Sequence, residues 1–202
     1  MKQKYNDPFW KGLFLDDLVK KFKFKKYLEL GIANAETWRN VNVEYKKGVD
    51  SNVNIKYENV ENLTTEEFFE KISKNEKYDL VFIDACREKN HVKNDFLNSF
   101  EHLQSNGIIV FHDINSWTEE AAQPYSSNGN CYEFWISLVN NYSENCFTYC
   151  GLGEEKDYIG LFFKNDLNVI DKKLFDDMTF GYEYFCNNRE KYLYSIHYNI
   201  DL

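Results

Sequence analysis

Four short stretches of this chain end an apolar run on side chains that bind cations or move protons. "LELGIANAE" (28–36) carries Glu29 and Glu36 around a single glycine, Gly31, and "KKGVDSN" (46–52) ends on Asp50 and Ser51. "YDLVFIDA" (78–85) ends on Asp84, and "GIIVFHD" (107–113) on His112 and Asp113. Ligands of an open parallel sheet bind beyond the carboxyl ends of its strands. That rule selects Gly31 to Glu36, Asp50, Asp84 to Arg87 and His112 to Asn115 as candidate site segments.

Asp50 follows Gly31 by 19 positions, close to the interval of about 20 at which an acidic side chain meets the ribose of a bound nucleotide. An adenosine compound is therefore expected. The third glycine position of G-x-G-x-x-G, counted from Gly31, is Glu36, and a carboxylate there repels a pyrophosphate. S-adenosylmethionine has no phosphate and carries a sulfonium and an ammonium, so it suits a loop bearing Glu29 and Glu36 better. Methyl transfer needs an aligned acceptor and, for a hydroxyl, a base. His112, Asp113 and Asp84 are the candidates, the histidine because it titrates near neutrality. Asp84 and Asp113, at the ends of neighbouring strands, could also share a divalent metal such as Mg²⁺, a hard ion that prefers oxygen. The plainer alternative is a strand and helix with no ligand, and a histidine merely hydrogen-bonded at a strand end.

These residues need elements to hold them. Helical spacing of apolar residues predicts a helix over 9–22, followed by a strand at about 25–30, a short helix over 36–41 and a strand over 45–49. A third strand is expected at 53–57. Thr64 and Glu67 form a T-x-x-E capping box that should start a helix. Continuous apolar runs at 78–84 and 106–113 read as strands buried on both faces, with a helix over 90–103 between them. Strands alternating with amphipathic helices imply a parallel sheet covered on both sides. A helix over 132–142, two strands joined by a glycine-containing turn within 146–164, and a helical, aromatic tail from 166 complete one expected domain over 1–202, with 1–24 as its N-terminal helix and 165–202 as its tail.

Composition narrows the function. Apolar residues make up 43% and aromatics 18% of 202 residues, which fits a packed core. A net charge of −9 without a long basic block argues against nucleic acid. No secretory leader or membrane span is legible, so a cytoplasmic location is expected. Five dispersed cysteines without CxxC spacing fit reduced thiols.

Taken in order, "KYLELGIANAETW", "KKGVDSN", "TTEEFFEK", "YDLVFIDA", "SNGIIVFHD", "WTEEAAQPYSSNGNCYEFW" and "MTFGYEYFCNNREKYL" resemble the small class I S-adenosylmethionine-dependent methyltransferases found with surface-glycan biosynthesis genes. The resemblance implies an α/β, Rossmann-like, seven-stranded sheet with helices on both faces and an antiparallel C-terminal hairpin. It places Glu29 and Gly31 near the methionine moiety, Asp50 at the ribose, Asn62 to Thr64 beside the adenine, and Asp84, His112 and Asp113 at the methyl-transfer region. The cofactor contacts so expected are Glu29, Gly31, Ala33, Asn34, Glu36, Asp50, Ser51, Asn62, Thr64, Asp84 and Ala85. His91, Arg87, Trp117, Tyr125 and Tyr132 are expected on the acceptor side. The implied activity is O-methylation of a sugar or other small polar metabolite, with a small-molecule or glycan substrate as partner and homo-oligomerisation left open. Ala35, Ala85, Arg87 and "GNCY" (129–132) depart from the family, which usually has glycine, glycine, histidine and "GDVW" there. Those departures motivate a second reading, a degenerate relative kept as a binding or assembly module. A third, a dinucleotide or nucleotide-sugar enzyme, conflicts with Glu36.

Overall fold

The computed structural model describes residues 9–53, 57–150 and 158–194. A seven-stranded sheet runs in the order β3-β2-β1-β4-β5-β7-β6. Its strands are β1 (Lys26–Leu30), β2 (Tyr45–Val49), β3 (Val60–Glu61), β4 (Tyr78–Ile83), β5 (Leu103–Phe111), β6 (Cys146–Cys150) and β7 (Tyr158–Phe163). The first five pair in parallel, while β7 runs antiparallel to both β5 and β6. The Rossmann-like arrangement expected from the sequence, with its antiparallel C-terminal hairpin, is the one observed. The expected strand over 53–57 falls in part on 54–56, outside the described residues; the third strand of the sheet is the two-residue β3.

Alternation along the central strands builds two cores. Leu28, Leu30, Val81, Ile83, Ile109 and Phe111 face one side, where α4 (Lys89–Glu101), α5 (Cys131–Asn141) and the C-terminal segment pack. Tyr27, Leu80, Phe82, Ile108 and Val110 face the other, against α1 (Trp10–Phe22) and α2 (Glu36–Asn40). Burial on both faces explains why β4 and β5 read as unbroken apolar runs. On the first side Phe96 is fully buried and touches Phe100, Phe111, Phe134, Phe162 and Phe175.

Local chemistry sets the element ends. The capping box is realised at α3 (Thr65–Lys71): Glu67 N donates to Thr64 Oγ1 at 3.2 Å and Thr64 N to the Glu67 carboxylate at 3.0 Å. Glu88 caps α4 by accepting from Asn90 N and His91 N. The aromatic tail forms short helical turns, Lys172–Phe175, α6 (Tyr182–Asn187) and Glu190–Tyr194. Trp135 Nε1 ties it to the core by donating to the Tyr192 carbonyl at 3.0 Å. No helix among the described residues is long and apolar enough to cross a membrane.

Candidate functional site

The carboxyl ends of β1, β2 and β4 open onto a cleft of about 420 Å³, within the roughly 300–1,000 Å³ of small-ligand sites. Gly31 forms its floor. Its φ of +85° is left-handed, and a Cβ there would collide with the carbonyl of Asp84 on the neighbouring strand. Glycine is thus required twice over, by backbone angle and by close approach. Opposite, Asp50 accepts hydrogen bonds from Ala33 N and Asn52 N, both at 2.8 Å, which ties the loop after β1 to the end of β2. Ser51, Thr64, Asp84 and Ala85 also line the cleft. Among them stand three carboxylates, Asp50, Glu66 and Asp84, facing the cations of Arg87 and, when protonated, His91.

Four of the expected contacts lie elsewhere. Glu29 is buried and accepts from Tyr27 Oη at 2.7 Å. Burial pushes its pKa up to about 8, against the pull of the Tyr27 hydrogen bond, so it is a neutral acid at pH 7 and no counter-charge for a sulfonium. The sheet pleat explains this, because Glu29 shares the inward face of Tyr27. Asn34 and Glu36 bind each other at the start of α2, with 2.8 Å from Nδ2 to Oε1, instead of turning into the cleft. Asn62 is exposed, and its amide lies 3.0 Å from the Ser51 carbonyl.

The strand ends of β4 and β5 bring the three candidate bases together. His112 Nδ1 lies 2.9 Å from both Asp84 Oδ1 and Asp113 Oδ2. Neither contact has the alignment of a hydrogen bond, so we treat both as charge contacts. Burial alone would lower the histidine pKa, but Asp84 and Asp113 outweigh it and raise the value to about 9. Lys11 from α1 approaches the other ring nitrogen at 3.2 Å and Asp84 Oδ2 at 3.8 Å. Burial would raise Asp84, yet His112, Lys11 and Arg87 hold its carboxyl below the ordinary value. His112 and Asp113 sit behind the open cleft, beside a small enclosed space, and Asp84 and Arg87 border both. The two carboxylates favour the imidazolium, while the Lys11 ammonium, which can only donate, favours a ring whose Nε2 is free to accept.

Arg87, expected in the site with Asp84, meets two carboxylates at once. Its Nη2 is 3.3 Å from Asp84 Oδ1 and its Nε contacts Asp113 Oδ2. Gly129, at φ +62°, packs where a Cβ would strike the Arg87 carbonyl, and Asn130 Oδ1 accepts from Lys89 N at 2.9 Å. Glu133 pairs with Lys89 Nζ at 2.9 Å. The "GNCY" segment is thus the support of the Arg87 loop.

Residues 17–114, just under half of the chain, match a family model described as a methyltransferase domain. The O-methyltransferase from Bacillus cereus in complex with SAH is similar in structure at 16% identity and a TM-score of 0.56, over 79% of this chain and 83% of that one. The O-methyltransferase TomG from Streptomyces achromogenes, solved with SAM, is similar at 13% identity and 0.54, over 77% and 79%. The chain has the Rossmann-like methyltransferase fold. No curated protein sequence matches it.

Within that methyltransferase fold the acceptor residues divide. Arg87 and His91 line the cleft, and Tyr125, 74% exposed, stands edge-on to His91 at its rim. Tyr132 is buried and stacked on Phe185, so the expectation that it meets an acceptor is corrected: its ring is core. Trp117 lies under the Arg189 guanidinium at 4.8 Å, pinned by the tail. Lys11 and Glu66 belong to the site and were not expected there. α1 reads as an ordinary amphipathic helix, and Glu66 as an ordinary first-turn carboxylate, until the fold shows what each faces.

Proposed function

We propose that this chain is an S-adenosylmethionine-dependent methyltransferase acting on a hydroxyl of a small polar metabolite such as a sugar. The observation that carries the reading is the open cleft between the Gly31 turn and Asp50, walled by carboxylates and left unfilled by the protein's own side chains. The residues present fit the cofactor. Asp50 offers a carboxylate to ribose hydroxyls, Gly31 lets a ligand approach the backbone, and Glu66 adds negative charge for a cationic ligand. Bound there, S-adenosylmethionine supplies an electrophilic methyl group.

The chain's own residues have three tasks. The cleft aligns donor and acceptor, the largest requirement of an in-line displacement. His91, with Tyr125 beside it at the rim, offers a polar, partly aromatic surface to a hydroxylated acceptor. The Asp84, His112 and Asp113 group receives the hydroxyl proton, with His112 as the base once it is neutral. The titration point of about 9 implies a rate that rises with pH through that value.

Calorimetric titration with S-adenosylmethionine and S-adenosylhomocysteine tests the reading. Saturable binding of both is expected, and no heat at millimolar ligand would remove it. Binding without turnover on any hydroxylated acceptor pool would instead favour the binding-module reading, to which the replacements at Ala35, Ala85, Arg87 and Asn130 lend support.

A further inference from the structure

We infer that the guanidinium of Arg87 stands in for a divalent cation between Asp84 and Asp113, closing this carboxylate pair to metal and giving the acceptor site a cation built into the chain. Asp84, His112 and Asp113 offer donor atoms within 4.8 Å of one another, close enough in distance for one ion. The chain has already used them. Arg87 and His112 both meet Asp84 Oδ1 and both meet Asp113 Oδ2. Lys11 faces Asp84 Oδ2 at 3.8 Å, and Asn128 Nδ2 donates to Asp113 Oδ1 at 2.9 Å. Every carboxylate oxygen of the pair faces a protein donor or cation, so an entering ion would compete with those groups for it.

Charge points the same way. The carboxylates carry two negative charges, and Arg87 and Lys11 supply two positive ones before any charge on His112 is counted. The side chains of Asp84, Asp113 and His112 are only 14, 13 and 18% exposed. Adding a dication would leave at least two uncompensated positive charges in a poorly solvated place, where unpaired charge is costly. The guanidinium is itself suited to the position, since it is planar, always charged and presents a fork of donors. Gly129 and Asn130 fix the backbone that carries it. On this inference the residues present do not fit Mg²⁺, and Arg87 takes the place of the metal that Asp84 and Asp113 were expected to share.

Closure to metal stands independently of the proposed activity; only the acceptor role rests on it. The test is titration of the full chain with Mn²⁺, followed by calorimetry and by the electron paramagnetic resonance signal of the free ion. Wild type, Arg87→Gln, Arg87→His and the charge-keeping Arg87→Lys are compared, each checked for folding by circular dichroism. Wild type and Arg87→Lys are expected to show no saturable binding at millimolar Mn²⁺. Arg87→Gln or Arg87→His should bind at least about tenfold more tightly than wild type, the scale on which neighbouring groups tune metal affinity, and Asp113→Asn in either background should abolish the gain. Saturable binding by wild type that Asp113→Asn removes would overturn the inference, as would the absence of any gain in both neutralising variants. Where turnover is obtained, chelation by EDTA should leave the wild-type rate unchanged, and loss of the rate would likewise overturn it. Failure to bind S-adenosylmethionine would sink the proposed function and leave the Mn²⁺ result intact.

Discussion

Ala33 and Ala35 occupy left-handed backbone, at φ 43° and 62°, in the loop where the resembled family favours glycine. An L-residue there costs about 1–2 kcal/mol relative to right-handed backbone. Glycine removes that cost but gives the unfolded chain more freedom, worth roughly 0.5–1 kcal/mol. The Ala33 methyl is exposed, so Ala33→Gly should stabilise the protein by about 0.5–1 kcal/mol as the difference of those two effects. Ala35 is fully buried in the core that includes Trp38 and Ile32, and losing its methyl costs roughly a further 0.8 kcal/mol. Ala35→Gly should therefore come out near neutral or slightly destabilising. Urea unfolding of both variants, followed by tryptophan fluorescence and compared at equal m-value, reads the difference directly. The loop's tie to Asp50 uses the backbone N of residue 33 and survives the change. If Ala33→Gly destabilises, or the two variants shift together, strain at these alanines is not what the loop stores.

Two further outcomes follow from burial and charge. The pKa of His112 in the folded state, about 9, exceeds the unfolded value near 6.5, so its stabilisation is complete below about pH 6.5 and disappears as pH rises through 9, a span worth about 3 kcal/mol. The charged groups around it are Asp84, Asp113, Lys11 and, through the two carboxylates, Arg87. The stability gap between wild type and His112→Asn should narrow by up to that amount between pH 6 and 10 in paired urea titrations, and a gap independent of pH would refute the assignment. Phe96→Ala, at the hub of the aromatic cluster, should cost about 3–5 kcal/mol by calorimetry; a loss under about 1 kcal/mol would mean that the cluster closes over the cavity.

The strand and helix order was legible because periodicity reports burial, and burial decides which faces of β1, β4 and β5 are apolar. The Thr64 capping box was legible because its chemistry is local. Boundaries moved where tertiary pairing overrode local pattern. β5 begins at Leu103 and not at Asn106, because Leu103 pairs with Tyr78 across a register shift. The same contrast governs the site. Gly31, Asp50 and Asp84 end strands, and strand ends are countable from sequence. The buried hydrogen bond from Tyr27 to Glu29 was not legible, because no motif announces it. Lys11 escaped notice because it lies 101 positions from His112 and meets it only when α1 lies over the sheet.

Arg87 and "GNCY" read in the sequence as separate losses from a family pattern, yet the structure makes them parts of one arrangement. Gly129 must be glycine because its neighbour is the Arg87 backbone, and Asn130 binds the chain two residues further on. Cys131 follows with its thiol 2.9 Å from the Asp113 carbonyl, so one three-residue stretch holds both the cation and one carboxylate it pairs with. Asn128, one residue before it, donates a hydrogen bond to the remaining oxygen of Asp113. A single change at Arg87 therefore leaves a loop still shaped for arginine. Residues in one such network couple non-additively, so the loop after β5 and the loop after β4 act as one unit.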